Sequence, residues 1–124
     1  MKINNKLNKA NAYRLSQEIL RNKALSKGVN LIAPETIFLS HDTTFGKNIT
    51  IEPYVVIGKK VKIGDNAIIK SFTHIEGTKI EKNVTVGPYA RLRPGTILKS
   101  NTKIGNFVET KKTYIGDKTK VNHL

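Results

Sequence analysis

From Leu39 to the end of the chain the apolar positions fall into units of six. They read LSHDTT, FGKNIT, IEPYVV, IGKKVK, IGDNAI, IKSFTH and a five-residue IEGTK. They continue as IEKNVT, VGPYAR, LRPGTI, LKSNTK, IGNFVE, a five-residue TKKTY, IGDKTK and a partial VNHL. Fourteen of these fifteen units open on an apolar residue, Thr110 being the exception, although only 38% of the whole chain is hydrophobic. In the twelve full-length units the fifth position is always Thr, Val, Ala or Ile, and six of the nine glycines stand second. A helix needs a period of 3.6 and a half-buried hairpin strand alternates by two, so neither alone produces this pattern. A short strand followed by a corner does. Three such units close one coil, successive coils hydrogen-bond about 4.8 Å apart, and the first-position side chains stack inside. Small fifth-position residues leave room for that stack, and glycine serves where the backbone nears a corner or needs positive φ. The pattern therefore predicts a parallel β-helix of about five coils, leaves its hand open, and makes IEGTK and TKKTY places where a corner tightens or shifts.

Ahead of the repeats the period changes. Residues 6–26, KLNKANAYRLSQEILRNKALS, lack Pro and Gly and are rich in Leu, Ala, Lys and Gln, with Leu15 and Ile19 at helical spacing together with Ala12 and Leu25; one amphipathic helix is predicted. Gly28 is the expected stop, and Pro34 with Glu35 marks a bend before the first coil. The domain organisation expected is an N-terminal helical arm over residues 1–28 and a hexapeptide-repeat β-helix over 29–124. A helix at that place caps the open end of a solenoid or links it to another unit.

Composition narrows the chemistry. Aromatics make up 6% of the chain, so the core must be built from Ile, Val and Leu, which suits strands. The absence of cysteine excludes disulfides, thiolate metal sites and a cysteine nucleophile, and no metal site is expected. No apolar run near the N-terminus is long enough for a signal peptide or membrane span; a soluble, cytoplasmic protein without membrane contact is expected. With 22 Lys plus Arg against 9 Asp plus Glu, the formal charge of +13 attracts phosphates of any kind. Nucleic acid is not the expected partner, because the basic residues lack interleaved aromatics for base stacking.

Units that break their own rule are the functional candidates, since core packing does not explain them. Arg93 stands second in LRPGTI, where glycine is commonest, beside the stiff Pro94–Gly95 corner. Lys111 stands second in the one unit without an apolar start, with Arg91 and Lys112 nearby. Arg93 and Lys111 are separated by three full units of six, one nominal coil, so their side chains are expected on neighbouring coils, where they could clamp one anion. His123 lies next to the final Leu124; His41 and His74 fall at corner or outward positions and receive no role.

The stretches RLRPG at 91–95, GNFVETKK at 105–112 and the final NHL, set in a hexapeptide run, resemble the acetyltransferase half of the bifunctional N-acetylglucosamine-1-phosphate uridyltransferase/glucosamine-1-phosphate acetyltransferase family. The stretch NAYRLSQEILRNKALSKGVNLIAPETIF resembles that family's connecting arm. What the resemblance implies is an all-β fold, a left-handed parallel β-helix preceded by one N-terminal α-helix, assembled as a homotrimer. It implies acetyl transfer from acetyl-CoA, a co-substrate and not a resident cofactor, to the amine of glucosamine 1-phosphate on the way to UDP-N-acetylglucosamine and peptidoglycan. It makes Arg93 and Lys111 the sugar-phosphate ligands and His123 the catalytic base. Imidazole suits that task, because the substrate ammonium must lose a proton before it attacks the thioester.

The family's pattern runs on past its histidine to a substrate-binding Tyr, an Asn and the coils of the CoA site, and its uridyltransferase domain precedes the arm; neither is within these 124 residues. The β-helix is therefore expected to be truncated and inactive alone, or one piece of a split enzyme completed by a second polypeptide. The alternative is a non-enzymatic β-helix remnant that acts only in assembly or weak anion binding; the partner expected of the chain by itself is sugar phosphate, bound weakly.

Overall fold

The structure, a computed structural model, describes residues 5–122. One helix, α1 (Asn5–Ser26), is followed by a short 3₁₀ turn at Pro34–Thr36 and fifteen strands of two or three residues. The strands fall into three parallel sheets, the three faces of a prism. The first face holds β1 (Asn30–Leu31), β3 (Thr50–Ile51), β6 (Ile68–Ile69), β9 (Thr85–Val86), β12 (Lys103–Ile104) and β15 (Lys120–Val121). The second holds β4 (Val56–Ile57), β7 (His74–Ile75), β10 (Arg91–Leu92) and β13 (Glu109–Thr110). The third holds β2 (Thr44–Phe45), β5 (Lys62–Ile63), β8 (Thr78–Ile80), β11 (Thr96–Leu98) and β14 (Tyr114–Ile115). From β2 onward each strand passes to the next face, so the chain winds as the predicted parallel β-helix.

The six-residue rule explains the wall. Fifth-position residues point inward, sixth outward and first inward, so each short strand alternates by two before the corner. Both inward columns are buried: Ile51, Ile57, Ile63, Ile69, Ile75 and Ile80 in one, and Ile49, Val55, Val61, Ala67 and Val84 in the other. The small fifth residues thus pack in the core themselves. The corner conformation lies elsewhere than expected. Left-handed φ falls on the fourth residue of the unit, among them Asn48 (57°), Tyr54 (62°), Lys60 (58°), Asn66 (62°), Phe72 (60°) and Asn83 (58°). Of the second-position glycines Gly87 (90°) has positive φ, while Gly64 permits close approach: a Cβ there would stand 2.7 Å from the Glu81 carbonyl carbon of the next coil.

The two five-residue units drop a corner position, and the left-handed φ moves to their third position, Gly77 (52°) and Lys112 (46°). Register follows: Thr50 pairs with Ile68, three full units further along, whereas Ile68 pairs with Thr85, a single position short of three units, because IEGTK lies between.

Helix α1 begins and ends where expected and faces another way. At its end the Gly28 N–H donates to Leu25 O (3.0 Å) and the Val29 N–H to Ala24 O (3.0 Å), with Gly28 at φ 92°; Ala24 and Val29 bury the accompanying apolar contact. Leu15 and Ile19, expected on the covered face, are 58% and 60% exposed, while Gln17 is buried. The physical reason is the surface that needs covering, an edge of open backbone at residues 35–39. The Gln17 amide donates to Leu39 O (2.9 Å) and accepts from Leu39 N (2.8 Å), and Arg21 Nε donates to Ile37 O (2.8 Å). Among the described residues no helix is long and apolar enough to cross a membrane.

Candidate anion-binding site

The second face carries the candidate residues. Arg91 pairs with Glu109 and Leu92 with Thr110, so Arg93 and Lys111 follow at the same level on adjacent coils. The Arg93 N–H donates to Thr110 O at 2.8 Å. The expected neighbourhood of Arg93 and Lys111 is therefore present, because the three full units between them make one complete coil on this face.

The corner after Arg93 is held tightly. Thr96 Oγ1 donates to Arg93 O (2.7 Å) and shares a hydrogen bond with Thr110 Oγ1 (2.9 Å). Thr110 is buried, which explains the one unit without an apolar start: a hydroxyl is needed opposite Thr96. Gly77 lets the next corner close, since a Cβ there would stand 2.8 Å from Pro94 Cα.

The charges at the site are mixed. Arg93 Nη1 lies 3.3 Å from Glu109 Oε2, and His74 Nε2 lies 3.3 Å from Glu76 Oε1. Lys111 is exposed and its ammonium has no ion-pair partner among the described residues. An entering phosphate would meet Lys111 directly and would compete with Glu109 for Arg93. Glu109 was missed in the reading of the repeats. Its signal was available: sixth in its unit, it points outward, one coil on from Arg91 and diagonal to Arg93. His123 lies outside the described residues. His74 points outward from β7 as expected, and His41 is exposed.

Comparison with known proteins agrees with this architecture. The model of the bacterial transferase hexapeptide family (six repeats) matches residues 42–77 and 77–112. The bifunctional protein GlmU of Azorhizobium caulinodans is 48% identical over 122 residues, 98% of this chain and 27% of that protein. That of Xanthobacter autotrophicus is 51% identical over 122 residues, with the same 98% and 27% coverage. The chain thus spans about a quarter of the length of the curated relatives it matches. Among solved structures, serine acetyltransferase isoform 3 from Entamoeba histolytica, in complex with cysteine, superposes with a TM-score of 0.57 at 22% identity, over 89% of this chain and 40% of that one. That likeness is one of fold.

Proposed function

This chain belongs to the bacterial transferase hexapeptide family, and on that premise we propose that it carries the sugar-phosphate half of an acetyltransferase site. The substrate is glucosamine 1-phosphate, the acetyl donor is acetyl-CoA, and the product feeds UDP-N-acetylglucosamine synthesis in the cytoplasm. The observation that carries this reading is the register of β10 on β13, which sets Arg93 and Lys111 one coil apart at the same level. The near-50% identity to bifunctional GlmU proteins supports the choice of substrate.

In this scheme Arg93 and Lys111 grip the phosphate with charge-assisted hydrogen bonds, and Glu109 holds the Arg93 guanidinium until phosphate displaces it. His123 accepts the proton of the substrate ammonium. The freed amine attacks the thioester carbonyl carbon, the N–C bond forms as the C–S bond breaks, and the nitrogen's second proton passes to the departing CoA thiolate. No covalent enzyme intermediate is needed. The acetyl-CoA surface belongs to hexapeptide coils outside these 124 residues, supplied by a second polypeptide or by more of the same one, and the working assembly is a homotrimer. Alone, the 124 residues are proposed to bind sugar phosphate and transfer no acetyl group.

The second reading is a β-helix that serves only assembly or weak anion binding; the Arg93–Glu109 ion pair favours it, since half of the clamp is already neutralised. Calorimetric titration with glucosamine 1-phosphate separates the two. Arg93→Ala is expected to raise Kd roughly 10- to 100-fold, the loss of a charge-assisted hydrogen bond worth about 1.5–3 kcal/mol. Equal affinities in wild type and variant would leave the clamp without substance. Thiol release from acetyl-CoA by the 124 residues alone would refute the proposed division of the site.

A further inference from the structure

The corner between the first and second faces carries four rings, Tyr54, Phe72, Tyr89 and Phe107, one per coil. They stack on one another with centroids 5.2, 5.0 and 5.4 Å apart and interplanar angles of 10°, 9° and 21°. They are also 57%, 51%, 49% and 61% exposed. Val56 on the second face and Ile68 on the first, 37% and 39% exposed, widen the stripe on either side. No core requirement explains it.

Charge sets this corner apart. In the triplets centred on the rings, 53–55, 71–73, 88–90 and 106–108, no residue is charged. The triplets centred on the left-handed residues of the other two corners carry five charges each: Lys47, Asp65, Lys82, Asp117 and Lys118 on one, and Lys59, Lys60, Glu76, Lys111 and Lys112 on the other. In a chain of net charge +13, an uncharged aromatic edge running the length of four coils has the composition of an interface core, rich in Tyr and Phe and depleted of charge.

We propose that this aromatic corner is the seam along which copies of the chain associate. The inference rests on the homotrimer reading above and names its surface. The internal ring faces are taken by neighbouring rings, so what the ladder offers are ring edges; sugars and nucleobases, which stack on open faces, find none between the rungs, and no cation in the triplets awaits a phosphate. A charged partner would be desolvated there without compensation. The matching surface is uncharged and apolar, and every copy supplies one. In a parallel assembly, contact at either other corner would set like charges of the copies against each other, Lys47 and Lys82 on one and Lys59 and Lys60 on the other, whereas contact at the ladder keeps those corners apart. Aromatic side chains offer roughly 150–250 Å² each, so four half-exposed rings provide roughly 400 Å². A standard interface uses about 800 Å² per partner, and Val56, Ile68 and the adjoining faces would supply the remainder.

Sedimentation equilibrium at micromolar concentration tests this. Wild type is expected at three times the 13.8 kDa of one chain. The Phe72→Lys/Tyr89→Lys double variant is expected at the mass of one chain, with the strand circular dichroism retained, and Tyr114→Lys, an exposed aromatic off the corner, at wild-type mass. Folded Phe72→Lys/Tyr89→Lys protein that keeps the wild-type mass would overturn the seam while leaving the trimer intact. Single-chain wild type would overturn the trimer and the seam together. Nitration of wild type by tetranitromethane gives a readout that needs no variant. Tyr54 and Tyr89 are expected to react more slowly than Tyr114, and equal rates would count against the seam.

Discussion

Left-handed φ on a non-glycine residue costs about 1–2 kcal/mol, and at Tyr54, Phe72, Tyr89 and Phe107 the side chains are large as well. Asparagine tolerates the conformation best and fills the same place at Asn48, Asn66, Asn83 and Asn101, whose amides bond from coil to coil at 2.9, 2.9 and 3.1 Å. At the aromatic corner stacking takes over the compensation, at about 0.5–1.5 kcal/mol per ring pair. Thr96 is the residue on which the candidate site most depends. Its hydroxyl donates to Arg93 O and meets Thr110 Oγ1 inside the core. Replacing it by Val would strand a carbonyl and a hydroxyl. Thr96→Val is therefore expected to lower unfolding free energy by about 1–3 kcal/mol, measured by urea denaturation, and to weaken sugar-phosphate binding. An unchanged urea midpoint would mean that water replaces the lost bonds.

At the scale of elements, a stack of coils ends in unpaired strand edges, and such edges invite aggregation unless covered. Helix α1 covers the first one with polar side chains as well as the apolar packing of Ala24 and Leu20. The Gln17 amide offers a donor and an acceptor spaced like those of a neighbouring strand, and it occupies both Leu39 backbone groups. Gln17→Ala leaves both without a protein partner and is expected to destabilise by about 2 kcal/mol or more, from roughly 1–3 per unsatisfied buried group. Gln17→Glu is expected to cost at least as much at neutral pH, because a carboxylate can accept from Leu39 N–H but cannot donate to Leu39 O. It should recover part of the loss in acid, where the carboxyl gains a proton. Thermal melts of the two variants at pH 4 and pH 7 check this; a Gln17→Glu variant as stable as wild type at pH 7 would remove the edge-pairing role.

Across the whole molecule, charge works against the coil stack. Lys62 pairs in register with Lys79, and Lys103 with Lys120, within a chain of net charge +13; like charges directly opposite destabilise a sheet. Inter-coil ion pairs offset part of this, the shortest being Lys99 Nζ to Glu81 Oε2 at 2.8 Å. The Lys99 bond holds the Glu81 carboxyl below its ordinary range, helped by the Ser100 hydroxyl, and Glu81 in turn raises Lys99. A lowered carboxyl stabilises the fold above its unfolded value, about 4.3, and loses that contribution as pH falls through the folded value. A raised lysine contributes fully below its unfolded value, about 10.4, and loses it as pH rises through the folded one. Glu81→Gln is therefore expected to melt below wild type across the neutral range, the gap closing from about pH 4.3 downward. A gap that persists undiminished at pH 2 would assign the difference to packing.

The spacing of apolar residues, with the placing of Gly and Pro, was enough to reveal the prism, its first-position interior column, the helix boundaries and the position of Arg93 and Lys111 on neighbouring coils. All of these depend on spacing along the backbone, and a regular coil converts three consecutive units into one vertical step. Which side chains meet across that step was not written in the period. Glu109 against Arg93, Thr110 beneath Thr96, the ring ladder at the first corner and the turning of Gln17 in place of Leu15 toward the β-helix all depend on side-chain reach and on hydrogen bonds that the open backbone lacked. Hydrophobic repetition records burial, and burial does not distinguish one outward-facing neighbour from another; folding the coils against each other made that choice.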